Sequence, residues 1–288
     1  MANTILVGID ASTESAAAAD WALAEAKSLK WSVMFVHAVS PVDVADPEVE
    51  ARYFRAAFSE AERTFGPLLE DAESRGVPAE SRVVAGRAKD VLIRLSSRAG
   101  LVVVGRRHRT GYASRFGSVS AALAAHSSCW TAVIPERWKR DQPALDGVRA
   151  PGTARFFGHV IVGAEEGPEA ANLLAVAAEL AQRHGAPLTA VTVSPDGAAR
   201  DGAAWLPELL HRINEKHPQL QCASVTLTGN PAGEVTEAAS GARLLVIGSR
   251  GLSGLPGIVR GSVSQAVLES TSSPVLVIPS RPLKPERE

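Results

Sequence analysis

The chain has 288 residues, 45% of them hydrophobic and 21% charged, with a formal net charge of −1. This is a globular composition, long enough for two domains of ordinary size. So small a net charge gives no reason to expect nucleic acid or an anionic membrane as a partner, and the five tryptophans are scattered rather than set in a stacking row. Cys129 and Cys222 are the only cysteines, which excludes a disulfide framework and a CxxC metal or redox motif.

The N-terminus, MANTILVGIDAS, enters a strand without the charged and long apolar regions of a leader, and no run of 18 apolar residues follows. The expectation is a cytoplasmic protein with no membrane partner. Ile5 to Ile9 reads as a buried strand, Asp10-Ala11-Ser12 as the turn out of it, and Ala19, Ala22, Leu23 and Ala26 as one face of a helix. Trp31 to Val39 is a second strand ending at Ser40-Pro41. Phe54, Phe58, Ala61 and Phe65 mark a long helix, closed at Gly66-Pro67 or continuing with a kink to Arg75-Gly76. Arg82 to Ala85, a helix carrying Val91, Leu92 and Leu95, and Leu101 to Val104 come next. Gly117-Ser118 then opens a helix with Val119, Ala122 and Leu123 inward, and Thr131 to Ile134 closes the unit.

Prolines, glycines and charges from Pro135 to Phe157 break this rhythm as a linker would. The pattern then begins again: a strand at Val160 to Ala164, and an amphipathic helix with Ala170, Leu173, Leu174, Ala177 and Ala178 inward. Next are a strand at Leu188 to Val193 ending at Ser194-Pro195, a short helix around Trp205, Leu209 and Ile213, and a strand at Ser224 to Leu227. Gly229-Asn230-Pro231 leads into a helix with Val235, Ala238 and Ala239, and Val275 to Ile278 is the last strand. Strands alternating with helices imply parallel βα units with right-handed crossovers. The chain is therefore one unit written twice: residues 1–136, a linker at 137–157, residues 158–280 and a tail at 281–288.

The most informative stretch is LLVIGSRGLSGLPGIVRGSVS, from Leu244 to Ser264. Leu244 to Ile247 reads as a strand buried on both faces, and it stops at Gly248. Glycines follow, and Ser262 with Gln265 has the S-x-x-Q form of a capping box at the start of a helix. Free amide N–H groups and the positive end of the helix dipole suit such a junction to phosphate, with Ser262 and Ser264 adding hydroxyls. The plainer alternative is a tight turn in which Ser262 only caps the helix. A P-loop is excluded because no Gly-Lys pair exists, and a dinucleotide fingerprint because no strand leads into G-x-G-x-x-G.

Gly248, two residues, Gly251, nine residues and Gly261-Ser262 resemble the G-2x-G-9x-G-[ST] motif of ATP-binding universal stress proteins. The resemblance extends over both halves. It implies an α/β fold of two tandem open five-stranded parallel sheets with helices on both faces, of the adenine nucleotide alpha hydrolase-like kind. It further implies ATP, with Mg, across the carboxyl ends of the first and fourth strands, and pairing through the last strands, as a homodimer or between the halves.

In the second copy the resemblance assigns to the nucleotide Ala164, Glu165, Thr192, Ile247, Gly248, Arg250, Gly251, Gly261, Ser262, Val263 and Ser264. In the first copy it assigns Asp10, Ala38, Gly105, Gly117 and Ser118, with Ala38 and Thr192 as equivalent positions beside adenine. Both copies depart from the family pattern. The second has Glu165 where the family has aspartate, which moves the carboxylate by about 1.5 Å; Glu165 and Glu166 are otherwise solvated loop carboxylates. The first has His108 for the second glycine and only eight residues before Gly117-Ser118, with Arg106, Arg107, Arg109 and Arg115 crowding the loop, either to hold an anion by charge or simply solvated.

His37 reads as a packed strand-end histidine. No metal-ligand spacing, G-x-S-x-G elbow or acid–base pair is present, so no catalytic residue is assigned. The reading is an ATP-binding stress-response regulator with slow or no hydrolysis and its better phosphate loop in the second copy. The alternative is a pairing and protein-interaction module with decayed sites.

Overall fold

A computed structural model describes residues 3–43, 46–106, 118–136, 138, 155–194, 205–249 and 262–280. The chain divides near residue 140 into two compact units. Unit 1 runs β1 (Thr4–Gly8), α1 (Thr13–Leu29), β2 (Ser32–Val39), α2 (Pro47–Ser74), β3 (Ala79–Ala85), α3 (Ala88–Ser96), β4 (Leu101–Arg106), α4 (Ser118–His126) and β5 (Trp130–Pro135). Unit 2 repeats the series as β6 (Val160–Gly163), α5 (Ala170–His184), β7 (Leu188–Ser194), α6 (Trp205–Lys216), β8 (Cys222–Thr228), α7 (Pro231–Ala238), β9 (Leu244–Gly248), α8 (Ser262–Ser270) and β10 (Val275–Ile278).

The strand order is β3-β2-β1-β4-β5 in unit 1 and β8-β7-β6-β9-β10 in unit 2, and the pairings within each unit are parallel. In each unit the first three strands step outward in one direction and the fourth starts again on the other side of the first. The order therefore reverses between β1 and β4, and between β6 and β9. At such a reversal the two connections leave in opposite directions and open a crevice at the carboxyl ends of the strands.

Strands covered on both faces must be apolar at consecutive positions. Ile5, Leu6 and Val7 are accordingly buried together, as are Leu244, Leu245, Val246 and Ile247. Two glycines show which helices cover unit 1. A Cβ built on Gly8 would meet Leu92 of α3 at 3.0 Å, whereas one built on Gly105, on the opposite face, would meet the Glu14 carbonyl oxygen of α1 at 2.3 Å.

Helix ends follow their local chemistry. Ser12 caps α1 by accepting from the Ser15 N–H (3.1 Å), and Asp46 caps α2 by accepting from the Glu48 N–H (2.8 Å) ahead of Pro47. Asn230 does the same for α7 ahead of Pro231. Of the two endings offered for the long helix, the longer holds: α2 carries Pro67 inside it and ends at Arg75, with Gly76 at φ 69°. Arg75 reaches Asp71 in its own helix (Nε–Oδ1 2.7 Å) and Asp20 in α1 (2.6 Å). Burial opposes its charge, but those carboxylates more than offset it and raise its pKa above the ordinary arginine value.

The short helix expected around Trp205, Leu209 and Ile213 is α6, with Ile213 on its inward face. Leu206, Leu210 and Ile213 are buried, one position on from the Trp205–Leu209 row. The end of the predicted linker is a turn at residues 155–158 in which Phe156 is buried.

Candidate functional site

Register fixes which residues of the two units correspond. Gly8 pairs with Val36 and Gly163 with Val191. The next N–H of each first strand, Ile9 and Ala164, donates to the Val36 and Val191 carbonyls (both 2.9 Å). Asp10 and Glu165 are therefore true equivalents, one residue past the last strand hydrogen bond. Gly105, opposite Ile134, likewise corresponds to Gly248, opposite Ile278.

The equivalence of Ala38 and Thr192 does not survive. Counting from Val36 and Val191, Thr192 matches His37, and Ala38 matches Val193. The same offset appears at the far end of the strands, where Gly86 donates to Val39 and Gly229 to Ser194. The Ser-Pro that ends each strand is displaced by one residue between the copies, and a slip of one places a side chain on the other face of the sheet.

In unit 2 the crevice lies between β6 and β9, paired through Gly163 and Ile247. Ala164 and Ile247 are buried, Glu165 and Gly248 half-buried, and Thr192 stands half-buried one strand away. The structure thus gathers Ala164, Glu165, Thr192, Ile247 and Gly248 at one end of three adjacent strands. Ser262 is the first residue of α8, Val263 is half-buried, and Ser264 is buried, its Oγ donating to the Gly248 carbonyl at 3.1 Å. That bond ties the start of α8 to the end of β9. The Gln265 Nε2 donates forward to Glu269 (3.2 Å). Ser249 is knotted to the neighbouring strand: its N–H donates to the Ile278 carbonyl (2.8 Å), and its Oγ accepts from the Ser280 N–H (3.0 Å). Arg250, Gly251 and Gly261 lie outside the described residues.

Unit 1 uses the same place differently. Asp10 is exposed, and its Oδ1 accepts from the Ser12 hydroxyl (2.5 Å) and the Ser12 N–H (3.2 Å). Ser15 closes the turn by donating from its Oγ to the Ser12 carbonyl (3.0 Å). The first carboxylate of unit 1 thus organises the entry into α1. Gly105 is held against α1 by the Glu14 backbone, and the next residue, Arg106, occupies the position of Ser249. Burial pulls its pKa below the ordinary arginine value.

Ala38 is half-buried on β2, and Ser118 is the first residue of α4. Gly117, Arg107, His108, Arg109 and Arg115 lie outside the described residues. A residue to which no binding role was given stands out: the Nδ1 atom of His37 is buried with no hydrogen-bond partner. Burial lowers the pKa of this imidazole, although the nearby charges of Asp10 and Glu60 act the other way. Among the described residues no group of three or more His, Cys, Asp or Glu side chains is placed to hold a metal ion, and no helix is long and apolar enough to cross a membrane.

The family model described as "Universal stress protein family" matches residues 1–135 and again 157–279. The chain belongs to the universal stress protein family. A universal stress protein of Mycolicibacterium smegmatis is 29% identical over 300 residues, covering 96% of this chain and 97% of that protein. Universal stress protein Rv1996 of Mycobacterium tuberculosis is 29% identical over 320 residues, covering 98% and 97%. Among solved structures, a universal stress protein from Archaeoglobus fulgidus superimposes with a TM-score of 0.74 at 20% identity, covering 97% of this chain and 99% of that one. A putative universal stress protein from Pseudomonas aeruginosa gives 0.61 at 15% identity, with 96% and 93% covered. These two likenesses establish the tandem universal stress protein fold.

Proposed function

We propose that unit 2 binds ATP, with Mg carried on the phosphates, and that the chain acts in the stress response as a cytoplasmic, homodimeric regulator rather than as a fast enzyme. The observation that carries this reading is the convergence of Glu165, Gly248 and the α8 start, tied through Ser264, on the crevice between β6 and β9. The segment between them has the spacing Gly248, Gly251, Gly261-Ser262.

The residues present fit the group. The first turn of a helix has N–H groups without intrahelical partners, and its dipole favours negative charge. Ser264 fixes that turn beside the strand end, so the amides of 262–264 face the ligand without reorganising. Its own hydroxyl is bonded to Gly248, so Ser264 positions the helix rather than touching phosphate. Gly251, Gly261 and the Ser262 hydroxyl would complete the cradle, with Arg250 screening charge and Glu165 meeting the ribose. Mg2+ keeps several waters and is held largely through phosphate oxygens, so a dedicated cluster of protein carboxylates is not required.

Calorimetry of dialysed full-length protein with ATP and Mg tests the reading. Saturable binding that Gly261→Val abolishes is the expected result. Absence of binding, or a Gly261→Val variant that binds as well as the parent, overturns it.

The alternative of decayed, non-nucleotide sites is favoured for unit 1 alone, as far as the triphosphate is concerned. There Asp10 is engaged with Ser12, and the Glu14 backbone lies against Gly105.

A further inference from the structure

A strand at the end of a sheet leaves every second peptide group unpaired, and that row can accept another strand. In unit 2 the end strand is β8, paired among the described strands with β7 alone, from Leu188–Cys222 to Ser194–Thr228. The Leu188 N–H donates to the Gln221 carbonyl (2.8 Å), and the Gly229 N–H to the Ser194 carbonyl (3.2 Å). Peptide groups alternate in direction along a strand, so Ala223, Val225 and Leu227 also face β7. Cys222, Ser224, Thr226 and Thr228 turn theirs outward, and Ser224, Thr226 and Thr228 are exposed.

Unit 1 ends in the same way at β3. The Val33 N–H donates to the Pro78 carbonyl (2.8 Å) and the Gly86 N–H to the Val39 carbonyl (2.9 Å), so Ala79, Ser81, Val83 and Ala85 turn outward. The two edges differ at their midpoint. Arg82 lies opposite Val36 and Val225 opposite Val191, and Val36 and Val191 are equivalent by register. Arg82 is exposed, in a 3.8 Å ion pair with Glu80 of the same strand. β8, CASVTLT, has neither a charge nor a proline.

An edge meets its own copy antiparallel, about a twofold axis. Residues with outward peptide groups then stand opposite one another and exchange both hydrogen bonds. The midpoint residue meets itself in a non-hydrogen-bonded pair, with Cα atoms about 4.5 Å apart. On β3 that pair is Arg82 with Arg82, and like charges directly opposite repel; a charge so placed guards an edge against pairing. On β8 it is Val225 with Val225, flanked by Ser224 with Thr226 and Cys222 with Thr228. All are uncharged, and hydroxyl and β-branched pairs are favourable across strands. A strand of unrelated sequence gains nothing from this symmetry about Val225, whereas a second copy does.

We propose that two copies of the chain join through antiparallel pairing of β8, centred on Val225. The contact rests on the homodimer proposed above and gives it a surface other than the last strands.

Sedimentation of the full chain and its variants tests this. Thr226→Pro deletes one outward N–H and spares the bonds to β7, since proline is accepted on an edge whose N–H faces solvent. Val225→Arg gives β8 the guard of β3. Each should raise the dimer dissociation constant at least tenfold while far-UV circular dichroism stays that of the parent; if Val225→Arg unfolds, Thr226→Pro decides. Val225→Cys should form a disulfide-linked dimer on mild oxidation, because the pair spacing lies within the range a disulfide spans. The parent should not link, because its two Cys222 residues would lie about 20 Å apart along the strands. A dimer unmoved by Thr226→Pro, or a Val225→Cys variant that does not link, overturns the contact and leaves the homodimer to another surface. Linking of the parent through Cys222 means parallel pairing and overturns it too. A parent that stays monomeric at high concentration overturns both the contact and the homodimer.

Discussion

Replacing Gly105 by alanine separates two reasons for a glycine at the end of β4. If the glycine is there so that a phosphate chain can approach, a methyl group affects ligand affinity and leaves the fold alone. The geometry of unit 1 says otherwise. The added Cβ would fall 2.3 Å from the Glu14 carbonyl oxygen, 2.4 Å from its carbon and 2.8 Å from its Cβ. Ordinary contact begins about 1 Å further out, and two of the three atoms are backbone.

Relief requires α1 to move away from β4. Its buried face, Ala18, Ala19, Trp21, Ala22, Leu23 and Ala26, is packed on the sheet, and the Asp10–Ser12–Ser15 network holds its first turn. Overpacking of this kind costs about 3 kcal/mol, the upper part of the usual range. With a urea dependence of about 2 kcal/mol per molar for a unit of this size, the midpoint falls by roughly 1–1.5 M. Tryptophan fluorescence reports on this unit, because Trp21, Trp31, Trp130 and Trp138 all precede residue 140 and only Trp205 follows it. Gly233→Ala is the matched control. A Cβ there meets only the Asn230 Oδ1 at 3.9 Å, and in α7 the change should stabilise by about 0.5–1 kcal/mol. A Gly105→Ala variant within about 0.5 kcal/mol of the parent would refute the packing argument.

Acid should weaken unit 2. Burial, with Arg243 and Arg183 adding to it, holds the His184 pKa down at about 4, so the unfolded chain binds the extra proton first. Stability present above the unfolded value of about 6.5 is lost as pH falls toward 4, by up to about 3 kcal/mol. His159, bonded through Nδ1 to Thr189 Oγ1 at 2.9 Å and also lowered by burial, acts in the same sense. Urea midpoints of unit 2 at pH 7 and pH 4.5, with and without His184→Gln, check this; a pH-independent midpoint contradicts it. Arg75→Met should cost about 1 kcal/mol, because the partner carboxylates of Asp20 and Asp71 are partly exposed and solvent screens them. The loss should shrink in 1 M salt. Ser264→Ala removes the hydroxyl bond to the Gly248 carbonyl and should cost about 1 kcal/mol of stability. It should also weaken ATP binding measurably, since the α8 start is no longer tied to the β9 end.

The elements were legible because burial on both faces and the helical period leave marks in single residues. Ile5 to Val7 and Leu244 to Ile247 could hardly be anything but central strands, and the five apolar positions of α5 are all buried as read. Phase was harder where several rows compete. In α6 both Trp205–Leu209 and Leu206–Leu210 are spaced four apart, and only the sheet beneath decides that the second row turns inward. The Ser-Pro dipeptides that close β2 and β7 looked like fixed marks for aligning the copies, yet hydrogen bonding places them one residue apart. A repeated dipeptide records a turn preference, whereas register records which backbone groups are already paired.

The strand-end positions of the candidate site were legible for the same reason. Asp10, Glu165, Gly105 and Gly248 follow strand ends that the sequence marks, and register confirms their pairing. What each does is set by neighbours distant in sequence. Gly105 and Gly248 give the same signal, a glycine after an apolar run, but at Gly105 the absent side chain makes room for the Glu14 backbone. His37 reads in the sequence as a packed strand-end histidine, but that its Nδ1 is buried without a partner leaves no mark there. Gly105 and Gly248 stand at corresponding strand ends in the two halves. His37 against Thr192 and Arg106 against Ser249 are corresponding strand-end positions at which the two units carry different side chains.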